Sequence, residues 1–294
     1  MIIILILTIL ILGAFFIIFS RIGLSKTENI TGSFFILTIA SFTGIIAGFI
    51  INPKSISEFT IIAFAWILLY TFLQNGIARP LNLLSIDYLG VNRSTPIITT
   101  AQIFNVLFAW LIVSESPSLA NMIGVIFIVT GCIMVSIQTM NKEQPLALKK
   151  KTAILGIIIA ITGAIGYGLS APVAKYALNQ SISPGFIVTV SSLITLAAFI
   201  LPTIKKFNTI KKIPKTGLYA LIAGGILSGT INAILIYIIS FKEIIYVIPL
   251  VSAVPIPTLF IAKILLPKTE VFTKYIILGT ILTVIGAMLI GLEI

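Results

Sequence analysis

The sequence contains no histidine, which removes imidazole metal ligands and imidazole acid–base catalysis. It has a single cysteine, Cys132, inside an apolar run, so no disulfide can form within the chain and the side chain reads as a small core residue. Charge is scarce: 9% of the 294 residues are charged, and only 8 are acidic. A soluble domain of this length carries roughly 25%. None of the acids lies near the middle of an apolar run. Glu28, Glu58, Asp87, Glu115, Glu143, Glu243, Glu270 and Glu293 all fall in connectors or near helix ends. The chain therefore lacks the membrane-embedded carboxylate on which proton-coupled drug exchangers usually rely. It also lacks any clustered set of titratable groups from which an active site could be built.

What the chain has in abundance is apolar surface. Hydrophobic residues make up 59% of it, and the mean hydropathy is +1.20. Such a chain could not cover itself in water, and the bilayer is the solvent that suits it. Ten apolar runs reach the ~20 residues of a spanning helix: about 2–20, 31–51, 59–87, 94–114, 118–138, 153–174, 184–202, 217–240, 246–266 and 272–292. Short connectors punctuated by Asn52-Pro53, Ser116-Pro117, Ser183-Pro184, Pro202, Pro214 and Pro267 separate them. The first run has no basic flank and no small-residue cleavage site, so it is expected to be a retained helix rather than a signal peptide. The third is long for the membrane, and Gly76 and Pro80 within it predict a bend or a strong tilt. The fold class expected is an all-α integral membrane protein of the cell membrane, crossing it many times.

Shifting the chain by 153 to 155 residues brings like residues together. Arg21 falls on Lys175, Gly32 on Gly185, Gly76 on Gly229 and Pro96 on Pro249. Glu115 falls on Glu270, and Gly124 and Gly131 fall on Gly279 and Gly286. These ordered matches predict two five-helix repeats, residues 1–140 and 153–294, joined by a basic connector at 141–152. Five is odd, so the second copy enters the membrane from the opposite side. The result is an inverted five-plus-five repeat, an architecture that transporters use, with a solute site near the midplane between the copies.

The net charge of +11 could signal nucleic acid, but the basic residues sit in short connectors between apolar runs, so no nucleic-acid partner is expected. Most fall on one side. Arg21, Lys26, Arg93, Lys142, Lys149, Lys150, Lys151, Lys205, Lys206, Lys211, Lys212, Lys215, Lys268 and Lys274 share it, against Lys54, Lys175 and Lys242 on the other. The positive-inside rule places the basic face in the cytoplasm and both termini outside.

The polar residues within the runs nominate a solute site, because hydrocarbon does not solvate them. On the third run Asn75, Arg79 and Asn82 are spaced i, i+4, i+7 and share one helical face, flanked by Tyr70 and Gln74. The arginine could clamp a carboxylate or phosphate, or it could snorkel to the headgroups or pair with Asp87. Gln102 and Asn105 share a face of the fourth run and suit either a polar solute or interhelical hydrogen bonding. The second half offers Tyr167, Ser170, Ser228, Asn232 and Ser252. The competing role for each serine is a bond to its own helix backbone. Pro249, Pro255 and Pro257 leave backbone carbonyls short of donors, which suits either a broken helix beside a cavity or a packing kink. Asn232 aligns with Arg79 across the repeat, so the two copies present unlike groups to a shared cavity.

In these features the chain resembles EamA-domain permeases of the drug/metabolite transporter superfamily. The resemblance rests on Arg93-Ser94-Thr95-Pro96 running on to Ser114-Glu115, Gly124 and Gly131. It rests also on Val247-Ile248-Pro249-Leu250-Val251-Ser252 running on to Glu270, Gly279 and Gly286, and on the stretch Ala171 to Leu178. The second repeat departs from the family at Leu266-Pro267-Lys268-Thr269-Glu270, where a Gly-Glu pair is common. The resemblance implies carriage of a small metabolite, often export, through a central cavity lined by helices 1, 3, 4, 6, 8 and 9. It also implies both termini in the cytoplasm, opposite to what the charges indicate. The expected function is a transporter moving a small polar metabolite, an amino acid or related solute, by alternating access. The alternatives are a membrane-embedded enzyme and a structural or receptor-like membrane protein. The expected partners are a small-molecule solute and the lipid bilayer, the chain acting as monomer or homodimer; neither cofactor nor metal is expected.

Overall fold

A computed structural model describes residues 2–52, 60–140, 149–251 and 253–291. The described residues form helices joined by short connectors, with no strand among them. In chain order the helices are α1 (Ile2–Leu24), α2 (Asn29–Ile51), α3 (Ile61–Leu89), α4 (Val91–Val113), α5 (Leu119–Met140) and α6 (Lys150–Asn179). They continue with α7 (Pro184–Lys205), α8 (Lys215–Phe241), α9 (Ile244–Val251), α10 (Pro255–Leu265) and α11 (Lys274–Gly291), and a single helical turn, Phe207–Ile210, joins α7 to α8. Seven of them, α1 to α4 and α6 to α8, are long and apolar enough to cross a membrane. The described apolar stretches of α5, α10 and α11 are shorter.

Local chemistry accounts for the boundaries. Ser183 caps α7 by accepting the Phe186 N–H at 3.2 Å, and Pro184 follows at the first helical position, where its missing N–H costs nothing. Thr60 caps α3 through the Ala63 N–H at 3.1 Å. The ninth apolar run is one stretch in the sequence but two helices in the fold. It breaks ahead of Pro255, the first residue of α10, where the missing proline N–H leaves no hydrogen bond back to the preceding turn and costs nothing at a helix start. Many of the outward isoleucines and leucines, Ile50 and Ile264 among them, are exposed and apolar, as a lipid-facing surface requires.

The halves interlock through like helices. Near Gly48 on α2, and Asn52 just past its end, lies Gly185 on α7, near Gly44 lies Ser192, and Thr38 meets Thr203 at 2.8 Å. Ascending numbers on one helix meet descending numbers on the other, so α2 and α7 are antiparallel. The same holds for α5 and α11. A Cβ on Gly279 would come 2.8 Å from the Gly131 carbonyl oxygen, and Gly286 faces Gly124. These glycines are small because two backbones touch there. The two halves thus run in opposite senses through the bundle.

This arrangement sorts the connectors. Lys26 packs beside Gly217, Lys206 pairs with Glu28 at 3.1 Å, Arg21 pairs with Glu270, and Gly156 packs on Tyr88 and Leu89. The basic connectors therefore gather at one end, the basic end. At the opposite end Asn52 donates to Ser183 at 3.0 Å and Glu115 meets Ile245. Lys54 and Lys142 lie outside the described residues. Two apolar clusters close the bundle, one around Phe16, Ile18, Leu24, Leu83 and Ile86 toward the basic end, one around Ile6, Ile67, Tyr70, Phe186 and Ile236 toward the other.

Candidate functional site

Between these clusters lies a cavity of about 220 Å³. Both halves line it. From the first come residues of α1, α3 and α4; from the second come residues of α6, α8, α9 and α10. Its walls are largely apolar, with Phe16, Ile98, Ile231, Leu235, Ile248 and Val254 among them. Small cavities of this kind fix a ligand with a few placed polar groups.

The local structure of α3 decides which polar groups reach it. Residues Phe72–Ala78 form a π-helix, in which the Arg79 N–H bonds the Gln74 carbonyl five residues back. Pro80 follows at once. A proline ring clashes with the carbonyl four residues before it, here that of Gly76, and the wider turn relieves that clash. The extra residue also shifts the helical phase by one position. The spacing i, i+4, i+7 therefore no longer aligns Asn75 with Arg79 and Asn82, and Gln74 takes its place on the cavity wall. Asn75 turns toward α7, where its Nδ2 donates to Thr195 at 2.9 Å beside a much smaller void that also touches Arg79 and Asn232.

Arg79 neither snorkels nor pairs with Asp87. It is 7% exposed, and its Nη1 donates to Ser228 Oγ at 2.7 Å. Asp87 pairs instead with Arg21, at 3.7 Å. Asn82, Gln102, Asn105, Tyr167, Ser170, Ser228 and Asn232 all line the cavity with Arg79. Ser170 donates to Gln74 Oε1 at 2.7 Å as well as to its own helix at the Tyr167 carbonyl. Tyr70 donates to Asn232 Oδ1 at 2.8 Å, and the Asn82 amide approaches the Tyr167 hydroxyl at 3.5 Å. Asn105 is 1% exposed, and neither oxygen nor nitrogen of its amide has a hydrogen-bond partner. Ser252 lies outside the described residues. Thr95 and Thr99 also line the cavity and escaped the sequence reading, since threonine in an apolar run usually bonds its own helix; both do.

Each end of the bundle carries a cation, an acid and a helix start. At the basic end Arg21 Nε lies 3.4 Å from Glu270, and Arg21 Nη1 donates to the Ile86 and Asp87 carbonyls at 3.3 and 3.1 Å. Glu270 in turn accepts the Asn92 N–H at 3.1 Å, capping α4. It reaches that position because Gly90, at φ +83°, has no Cβ: one built there would stand 2.7 Å from the carboxylate. At the other end the repeat-related residues repeat the pattern. Lys175 Nζ donates to the Ile239 and Lys242 carbonyls at 2.9 Å each, and Glu115 accepts the Ile245 N–H at 3.2 Å, capping α9. Here Glu243 stands where the repeat has Gly90. Burial lifts the Glu115 carboxyl above its ordinary range; the Ile245 N–H opposes this and the nearby Glu243 adds to it. Burial also lifts Glu270, against the Asn92 N–H and Arg21. At both ends an acid of one half caps a helix of the other.

Comparison with known proteins adds the following. Residues 1–137 and 154–292 match the model of the EamA-like transporter family. No curated protein matches. Twenty-four solved chains do. One, described only as "Crystal structure of protein", aligns with a TM-score of 0.62 over 96% of each chain at 12% identity, a likeness of fold alone.

Proposed function

Since the chain belongs to the EamA-like transporter family, a multi-pass membrane family of the drug/metabolite transporter type, we propose that it moves a small polar metabolite across the cell membrane by alternating access between its two halves. The observation that carries this reading is the cavity shared by both halves, apolar in its walls and furnished with Arg79, Asn105 and Asn232. Groups of this kind are retained inside a membrane where a solute or water meets them. Counting α5, the α9–α10 pair and α11 with the seven longer helices makes ten crossings as an inverted five-plus-five repeat, the division falling in the connector 141–152.

The repeat also supplies the motion. Two copies in opposite orientation can exchange shapes, opening the cavity first to one side and then to the other. The latches at the two ends are the natural gates, because each joins one half to the other. The basic end is taken to face the cytoplasm, following the charges. Among metabolites, a solute of about the size of an amino acid fits the cavity. The family consists of transporters rather than enzymes, and the reading is carriage without chemistry.

The purified protein in liposomes should give saturable flux of a solute found by thermal-shift screening. Asn105→Leu, which removes an unpartnered amide from the cavity, should lower that flux at least about tenfold. Undiminished flux in this variant would place the pathway elsewhere.

A further inference from the structure

The charge inside the cavity is one-sided. Among the described residues that line it, Arg79 is the one charged side chain, and no aspartate or glutamate joins it there. The guanidinium is buried, its Nη1 donates to a neutral hydroxyl, and its Nε has no partner. A buried cation without a counter-charge is costly, and an anionic solute would offset that cost. The neighbouring groups also offer donors. Ser228 accepts from Arg79, which leaves its own hydroxyl hydrogen free. Tyr70 occupies the oxygen of Asn232 and so leaves the Asn232 Nδ2 hydrogens to the cavity. Ser170 likewise occupies Gln74 Oε1 and leaves its amide hydrogens.

Resting on the transport reading of this cavity, we infer that its solute is an organic monoanion, a carboxylate on an apolar body, rather than a neutral metabolite, a zwitterion or a dianion. One negative charge neutralises Arg79. A planar carboxylate matches the guanidinium and can take a second hydrogen bond from Ser228 or Asn232. A dianion would leave one charge uncompensated in apolar surroundings. A zwitterion would bring an ammonium to a cavity whose described lining has no acid. The apolar walls take the body of the solute, and the unpartnered Asn105 amide takes one further polar substituent, such as an α-oxo or α-hydroxy oxygen.

Four probes with similar branched skeletons separate these classes: isocaproate, its amide isocaproamide, leucine, and isoamyl phosphate. Binding to the purified protein is read by thermal shift and by calorimetry. Isocaproate should bind at least about tenfold more tightly than the other three, and Arg79→Gln should abolish that preference. If Arg79→Gln does not fold, Arg79→Lys serves in its place, with weaker binding in the same order. Equal or tighter binding of leucine, the amide or the phosphate overturns the inference, as does a preference that survives Arg79→Gln, or no binding by any of the four. Any of these results leaves the transport reading standing where a cysteine in the cavity still reacts from both sides of the membrane. A cysteine that reacts from one side alone defeats the transport reading instead.

Discussion

Arg79→Lys should cut transport by about 10- to 100-fold although the charge is kept. A guanidinium offers a planar fork of donors, and the chain already uses one arm, Nη1, to Ser228 at 2.7 Å. Ammonium is a point charge on a flexible stem and cannot hold Ser228 and a solute in one plane. Hydrogen bonds to charged groups are worth about 1.5–3 kcal/mol, and losing one such bond sets the fold-change. Initial rates of uptake into liposomes, measured with the solute found by screening, check it. Full activity in the lysine variant would mean that Arg79 supplies charge alone and that its geometry is irrelevant.

Glu270→Ala should shift the balance between the two access states by about 100-fold, away from closure at the basic end. The substitution removes the acceptor for the Asn92 N–H and leaves Arg21 without its nearest carboxylate. A hydrogen bond to a charged group, here the Asn92 N–H to the Glu270 carboxylate, is worth up to about 3 kcal/mol, and each 1.4 kcal/mol is about a factor of ten. Glu115→Ala should act in the opposite sense and more weakly, because Glu243 already repels the carboxylate that it removes. The readout is the rate at which a cysteine placed at Thr99, in the cavity wall, reacts with an impermeant maleimide from each side. Equal rates in wild type and Glu270→Ala would remove the latch from the mechanism.

The repeat was legible because small and charged residues recur at a constant offset where backbones touch or helices end. Gly131 and Gly279 meet at one such contact. The partners were not legible. The sequence aligned Arg21 with Lys175 and Glu115 with Glu270, but only the antiparallel packing sets each cation in the end group with an acid of the opposite half. Gly90 gave no sequence signal either, since its role depends on a residue 180 positions away. The polar lining of the cavity was legible as a set of residue types and less so as a face. An ideal helix groups Asn75 with Arg79; the π-helix forced at Pro80 substitutes Gln74. The break in the ninth apolar run followed from proline chemistry, whereas the partner of Arg79 is Ser228, 149 residues away in the sequence.

The claim at the centre of this account is that one cavity opens to both sides of the membrane in turn. Its most direct test is Thr99→Cys in a Cys132→Ser background, labelled by impermeant maleimide in right-side-out and inside-out vesicles. The account predicts reaction from both sides, faster from the basic end in Glu270→Ala and faster from the other end in Glu115→Ala. Reaction from one side alone, unchanged by either substitution, would contradict it.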